Sequence, residues 1–314
     1  MFNKEIASFH LKEHQSFIDY VSKDEVSGSY LLIGQSSIGK KDFACGISEI
    51  ILKNNEKIYK NIHPDLYVLD VEKDQILVDD INQVESWVFN KPFEASKKII
   101  IIQSADKMNF IAQNKLLKIL EEPPDYLFFF LLTANSSLLL PTVESRCIKL
   151  NLNRLPDDII SKSLESRYKD KDQLDIALFL LNGSYDEENF YTDEKISDLI
   201  DFIRIIYTKE VFSIDKLTNY LDKFFKNKAN HHKTIDAIVR LFSLLLRQKH
   251  KTLNDSALLN SIIDNKASSY NIGDLVTNIE DVNINLKGTT VNLRISLEEI
   301  ILDFMLSTKE IRTV

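Results

Sequence analysis

A chain of 314 residues carries 39 Lys and Arg against 47 Asp and Glu, a formal charge of −8, with 44% hydrophobic and 27% charged residues. That length predicts two or three domains with a sizeable core, and the composition excludes disordered, collagen-like and coiled-coil classes. The negative balance argues against a surface built throughout to hold nucleic acid or anionic membrane, so any DNA role is local or shared.

The stretch from Met1 to Gln15 lacks an apolar segment of signal-peptide length, and nothing in the chain approaches ~18 uninterrupted apolar residues. A cytoplasmic protein with no membrane partner is expected. Tyr30 to Ile33 is an apolar run between Gly28 and Gly34, and helical spacing follows from Asp42 to Leu52. Leu66 to Val71 reads as a second strand after His63-Pro64. Val78 to Phe89 reads as a helix that turns Val78, Ile81, Val84, Trp87 and Val88 toward a core. Ile99 to Ile102 has no polar alternation, the mark of a strand buried on both faces of a parallel sheet. Its helix, Asn109 to Glu122, stops at Pro123-Pro124. Tyr126 to Thr133 reads as another buried strand and Cys147 to Leu152 as one more. This alternation predicts a doubly wound α/β domain with its ligand crevice at the carboxyl ends of the strands. Beyond it Pro156 to Tyr168 and Asp172 to Asn182 read as helices, and Gly183-Ser184 as a break. Thr234 to Gln248 and Leu297 to Leu306 read as long amphipathic helices, with Lys266 to Asp274 as a connecting loop. The expected domains are residues 1–152, a small helical domain over 153–205 and a larger helical one over 206–314.

Gly34-Gln35-Ser36-Ser37-Ile38-Gly39-Lys40 fits the phosphate-loop pattern G-x-x-x-x-G-K between a strand and a helix, the context that gives the pattern meaning. Such a loop turns successive backbone N–H groups toward a phosphate, and Lys40 would meet the β and γ phosphates. The next position should supply a Ser or Thr hydroxyl to Mg²⁺, and it is Lys41. At the tip of the Ile99 to Ile102 strand an ATPase needs an Asp for Mg²⁺ and a Glu for the attacking water. Gln103-Ser104 stand there instead. Asp106 is expected to cap the following helix rather than to hold a metal. The loop therefore reads as a former nucleotide site. Gly34, Gly39 and Lys40 keep whatever phosphate binding survives, ATP is bound weakly or not at all, and no ATP is hydrolysed. Cys45 and Cys147 can build neither a disulfide framework nor a four-cysteine zinc site.

Three segments resemble the clamp-loader subunits of bacterial DNA polymerase III, members of the AAA+ superfamily, and among them the delta-prime type. They are His63-Pro64-Asp65-Leu66, the run from Ala112-Gln113-Asn114-Lys115 to Leu120-Glu121-Glu122-Pro123-Pro124, and Leu140-Pro141-Thr142-Val143-Glu144-Ser145-Arg146-Cys147. The resemblance covers about half of the chain, with a weaker likeness over Asn292 to Leu306. It implies an AAA+ α/β domain followed by a small helical lid and an all-helical collar through which subunits assemble. It also implies a role for Arg146, the first arginine in the chain, and for Ser145 beside it. In the family this arginine is a finger that enters the ATP site of a neighbouring motor subunit, where a guanidinium stabilises charge on the transferring phosphoryl group. Pro141-Thr142 would start the short helix that presents it. On the residues alone, a salt bridge with Glu144 is the competing role.

The departures from the family pattern point one way. Motor subunits carry Asp-Glu at the positions of Gln103-Ser104, Thr or Ser at that of Lys41, and a Gly-Ser-x-Arg sensor where Gly183-Ser184-Tyr185 is followed by Asp186. Many relatives carry a four-cysteine zinc module before the His-Pro-Asp motif. Leu52 leads to His63 without a cysteine, so zinc is expected to be absent. Thr133 and Asn135 stand where relatives place a polar sensor. Lys223, Lys226, Lys228, His231, His232, Lys233, Arg240, Arg247, Lys249, His250 and Lys251 form a basic stretch. Phe224, Phe225 and Phe242 within it have core spacing, which favours the solvated face of a collar over a DNA site.

The function expected from all of this is a non-hydrolysing subunit of the sliding-clamp loader. It would dock the gamma/tau motor subunits and the delta subunit, supply an arginine finger in trans, and meet the sliding clamp and primer-template DNA through the assembly. An ATP-hydrolysing gamma/tau-like motor of the same assembly is the alternative. A phosphate-loop enzyme outside replication, such as a small-molecule kinase, is a third. Lys41, Gln103 and Ser104 separate the first two.

Overall fold

The two most apolar runs of the sequence become the centre of a parallel sheet. The computed structural model describes residues 3–23, 27–53, 55–70, 75–164, 168, 170–185, 190–208, 214–227, 230–249, 272–285 and 293–307. It divides into two units, Met1–Ser163 with Leu181–Glu188, and Leu164–Leu180 with Asn189–Val314.

In the first unit the strands β1 (Gly28–Ile33), β2 (Leu66–Leu69), β3 (Lys98–Ile102), β4 (Leu127–Thr133) and β5 (Ile148–Asn151) form one sheet in the order β2-β3-β4-β1-β5. Every pairing is parallel, with Ile99 opposite Phe128 and Tyr30 opposite Phe130. Successive side chains on a strand point to opposite faces. Leu31, Ile100, Ile102, Phe129 and Leu131 therefore enter one core with Ile81, Val84 and Leu116, and Tyr30, Leu32, Ile99, Ile101, Phe128 and Phe130 enter the other with Phe43 and Ile47. All of β3 and β4 is buried, as the unbroken runs predict. Each fully buried Phe or Ile contributes roughly 1.5–3 kcal/mol from area removed from water.

The helices of this unit are α1 (Lys4–Glu13), α2 (Gln15–Val21), α3 (Lys40–Leu52), α4 (Asn55–Tyr59), α5 (Val78–Val88), α6 (Phe110–Glu121), α7 (Pro141–Glu144) and α8 (Asp157–Leu164, whose last residue belongs to the second unit). The expected strands and helices through residue 152 are present. The second strand ends at Leu69 rather than Val71, which lies outside the described residues. The last strand is an exposed edge, not a buried one, because only β1 flanks it. α1 and α2 are additions to the expected elements. Asn3 caps α1 by accepting from the backbone N–H of Glu5 and Ile6, and α1 packs on α3 through buried Ile6, Ala7 and His10.

The His-Pro-Asp motif is a structural clamp. The Asp65 carboxylate accepts the backbone N–H of Phe93 (2.6 Å), Glu94 (2.7 Å) and Ala95 (2.8 Å), and His63 Nδ1 accepts that of Asp65 at 3.1 Å. It ties the entrance of β2 to the turn that leads into β3. Burial works to raise the Asp65 pKa, and the three amides outweigh it and hold the carboxyl below its ordinary value. Trp87 is half-buried and packs against the margin of the core, as its spacing predicts. Buried Lys98 lies 3.7 Å above its ring and donates to the carbonyls of Trp87 and Asn90.

The second unit is helical: α9 (Lys171–Leu181, whose last residue belongs to the first unit), α10 (Asp193–Thr208), α11 (Ile214–Phe224), α12 (His231–Lys249), α13 (Ile272–Asn285) and α14 (Leu293–Ser307). α12 packs on α10 and α13, and α14 on α11 and α13. Phe224, Phe225 and Phe242 are buried, as their spacing predicts. Two boundaries differ from expectation. The loop expected over Lys266 to Asp274 gives way to α13 by Ile272, its earlier part lying outside the described residues. The helix expected from Pro156 to Tyr168 begins at Asp157 and is described as helix only to Leu164.

Candidate functional site

The carboxyl ends of β1, β3 and β4 open on a cleft of about 270 Å³, lined by Ser36, Gly39, Lys41, Gln103, Ser104 and Asp106 among others. The phosphate-loop residues and the strand-tip residues therefore meet where the topology predicts.

Two glycines shape the loop. Gly39 has φ 88°, a left-handed backbone at the start of α3, and a Cβ there would strike Ile6 of α1. At Gly34 a Cβ would strike the Ile38 side chain and lie 3.0 Å from the Leu152 carbonyl oxygen. Lys40 folds back on its own loop, its Nζ donating to the carbonyls of Gly34 and Gln35 at 2.7 Å each. Two further contacts brace the loop. His10 Nε2 lies 2.6 Å from the Ile38 carbonyl oxygen, and the Tyr185 N–H donates to that of Ser37 at 2.5 Å. The Gly183-Ser184-Tyr185 segment thus reaches the loop through its backbone, while Asp186 lies outside the described residues. His10 was not foreseen as a loop contact. Its signal was there, since Ile6 and His10 stand four apart on one face of a helix.

At the metal and catalytic positions the side chains are occupied differently from an ATPase. Lys41 Nζ pairs with Asp70 at 3.2 Å, both exposed. Gln103 Nε2 is buried without an acceptor among the described residues. Ser104 turns the chain through a left-handed backbone, φ 50°. Asp106 does not cap α6. Its Oδ1 accepts from the Thr133 hydroxyl at 2.9 Å and from the Ala134 N–H at 3.3 Å, tying the end of β3 to that of β4, and Asn109 caps α6 by accepting from Ala112. Thr133 Oγ1 also accepts the Asn135 N–H, and Asn135 in turn accepts from Ser137. Among the described residues no three His, Cys, Asp or Glu side chains converge as a metal site. Burial pushes the thiols of Cys45 and Cys147 up to about 12, so neither is a thiolate near neutrality.

Arg146 stands apart from this cleft's lining, past α7, which begins with Pro141 and closes by the Ser145 N–H donating to the Pro141 carbonyl. Ser145 Oγ donates to the Thr142 carbonyl at 3.2 Å. Arg146 Nη1 donates to the same carbonyl at 2.9 Å and Nη2 pairs with Glu121 Oε1 at 2.7 Å. Glu144, the partner in the competing reading, is taken by Lys149 at 2.7 Å, whose hydrogen bond holds the Glu144 carboxyl below its usual range. In the second unit the described basic residues are partly neutralised: Lys223 meets Glu194 and Asp198, and Arg240 meets Asp236. Lys228, His250 and Lys251 lie outside the described residues. No helix of the described residues is long and apolar enough to cross a membrane.

Residues 10–156 match the family described as "DNA polymerase III, delta subunit". The chain is 25% identical to the delta-prime subunit of DNA polymerase III from Bacillus subtilis over 242 residues, 71% of this chain and 72% of that one. It is 27% identical to the gamma/tau subunit from Mycoplasma genitalium over 250 residues, 68% of this chain but only 42% of that relative's length. Among solved structures, a DNA polymerase III gamma subunit-related protein from Thermotoga maritima superposes with a TM-score of 0.55 at 20% identity, covering 93% of this chain and 98% of that one. That likeness concerns the fold alone. By these sequence matches the chain is similar to the clamp-loader subunits of DNA polymerase III, delta-prime subunits among them.

Proposed function

We propose that the chain is a non-hydrolysing subunit of the clamp loader, which docks gamma/tau motor subunits and a delta subunit and lends Arg146 to a neighbouring ATP site. The observation that carries the first part is the chemistry at three positions. Lys41 offers an ammonium, with no lone pair, where Mg²⁺ needs a hydroxyl oxygen. Gln103 and Ser104 supply neither the metal carboxylate nor the carboxylate that polarises water. Asp106 is close, but Thr133 and Ala134 already hold its Oδ1. These residues do not fit Mg²⁺. Only the loop amides and Lys40 remain to meet a phosphate, so nucleotide binding that is weak or absent, without turnover, is the expected state. Zinc has no role in this reading, since no cysteine stands between Leu52 and His63. The helical lid over 153–205 and collar over 206–314 belong to the same proposal, as do contacts to the sliding clamp and primer-template DNA through the assembly, in the cytoplasm.

The gamma/tau likeness favours one other reading, an active motor with unusual site residues. ATP turnover by the purified chain decides between them. No turnover above background is expected. Steady-state hydrolysis on the order of 1 s⁻¹ that Lys40→Ala abolishes would overturn the non-hydrolysing assignment.

A further inference from the structure

Arg146 is not held by its own short helix alone. Its guanidinium is fixed at two points, by the Thr142 carbonyl at 2.9 Å and by Glu121 at 2.7 Å. Glu121 is the last residue of α6, and the Pro123-Pro124 pair just beyond it stops the helix. The carboxylate therefore sits on the rigid end of a helix whose opposite side packs into the sheet core through Leu116, Ile119 and Leu120.

A guanidinium has five N–H donors in a planar fork. Among the described residues Thr142 and Glu121 engage one each, both through the terminal nitrogens, which leaves three for an acceptor arriving from outside. The Arg146 side chain is 34% exposed and Glu121 50%. An ion pair this exposed contributes little to folding. Its effect is to select one arginine rotamer from many, and an arginine that is already oriented loses less freedom when it meets a phosphate.

We infer that Glu121 is a positioning residue for Arg146: it holds the guanidinium in the orientation in which its remaining donors meet phosphoryl oxygens of a nucleotide on the neighbouring subunit. The inference rests on the reading of Arg146 as a finger. Glu121 itself touches no nucleotide, and it keeps its bond to Nη2 when the phosphate is engaged.

The test is a double-mutant cycle on the reconstituted clamp loader, reading clamp- and DNA-stimulated ATP turnover, with assembly checked by gel filtration. Arg146→Ala, Glu121→Gln and the double variant are compared with the wild-type complex. Glu121→Gln preserves length and an acceptor oxygen but removes the charge. It is expected to lower kcat by roughly threefold to tenfold with KM for ATP unchanged. The double variant is expected to turn over no more slowly than Arg146→Ala alone, because a positioning residue has nothing to act on once the arginine is gone. If Glu121→Gln slows turnover equally in the Arg146→Ala background, its role is structural and the inference fails. It also fails if Glu121→Gln turns over at the wild-type rate while Arg146→Ala is slow, which leaves the finger standing. If Arg146→Ala assembles and turns over at the wild-type rate, the finger reading falls and the inference falls with it.

Discussion

His10 shows how one side chain can tie a functional loop to a segment remote from it in sequence. The ring is fully buried, edge-on to Phe9 and Phe43, with Nε2 2.6 Å from the Ile38 carbonyl oxygen, which makes Nε2 the protonated nitrogen, and Nδ1 3.5 Å from Glu13. Burial lowers its pKa below 6.5, against the opposing pull of the Ile38 carbonyl and Glu13, with His14 adding to the decrease. A lowered folded-state pKa means that the unfolded chain binds the proton more readily. The stabilisation is therefore complete above the ordinary histidine value and is lost as pH falls below 6.5 through the folded value. Urea denaturation of the wild type and of His10→Gln, which can still donate to Ile38 but cannot take a proton, measures this. The stability of the wild type should fall more steeply below pH 6.5 than that of the variant; parallel profiles would assign the acid sensitivity to other groups.

At the scale of elements, the turn entering β3 depends on one carboxylate. Asp65→Ala leaves the amides of Phe93, Glu94 and Ala95 without their acceptor. Charge-assisted bonds contribute about 1.5–3 kcal/mol each and are not additive, so a loss of roughly 3–5 kcal/mol is expected. Asp65→Asn, with one carbonyl oxygen, should fall between. Urea midpoints measure the total, and amide exchange at Phe93, Glu94 and Ala95 localises it; a variant as stable as the wild type would mean that the turn is held by its other contacts. The carboxyl's lowered pKa makes this contribution present above its ordinary 3.8 and lost as pH falls through the folded value. The clamp also marks where legibility ends. β3 and β4 can be read from unbroken apolar runs, and the phosphate loop from glycine spacing, because those signals are local. Which group a polar side chain reaches is not local. Asp65 binds a turn 28 to 30 residues away, Asp106 spans 27 residues to Thr133, and Arg146 bypasses nearby Glu144 for Glu121. α1 escapes notice for a related reason: a histidine stands in its buried stripe, and only the loop carbonyl it meets explains why.

For the whole molecule, the two units differ in how far along the chain their contacts reach. In the first, β1 must find β4 across a hundred residues, with Gly28 opposite Phe128, before either strand is buried. In the second, α12 packs on α13 and α13 on α14, successive helices among the described residues, and only the weaker packing of α14 on α11 spans a comparable stretch of chain among the described helices. Closing long loops before any contact forms slows folding, and helical units with local contacts fold faster. The single tryptophan, Trp87, lies on α5 in the first unit, whereas helical ellipticity comes from both. On dilution from denaturant, ellipticity at the helical band should therefore recover much of its amplitude before Trp87 fluorescence does. At equilibrium the two probes should give transitions that do not coincide, the sign that one two-state description fails. Superposable curves in both experiments would mean that the units fold as one cooperative body, with the helical unit forming only once the sheet has closed.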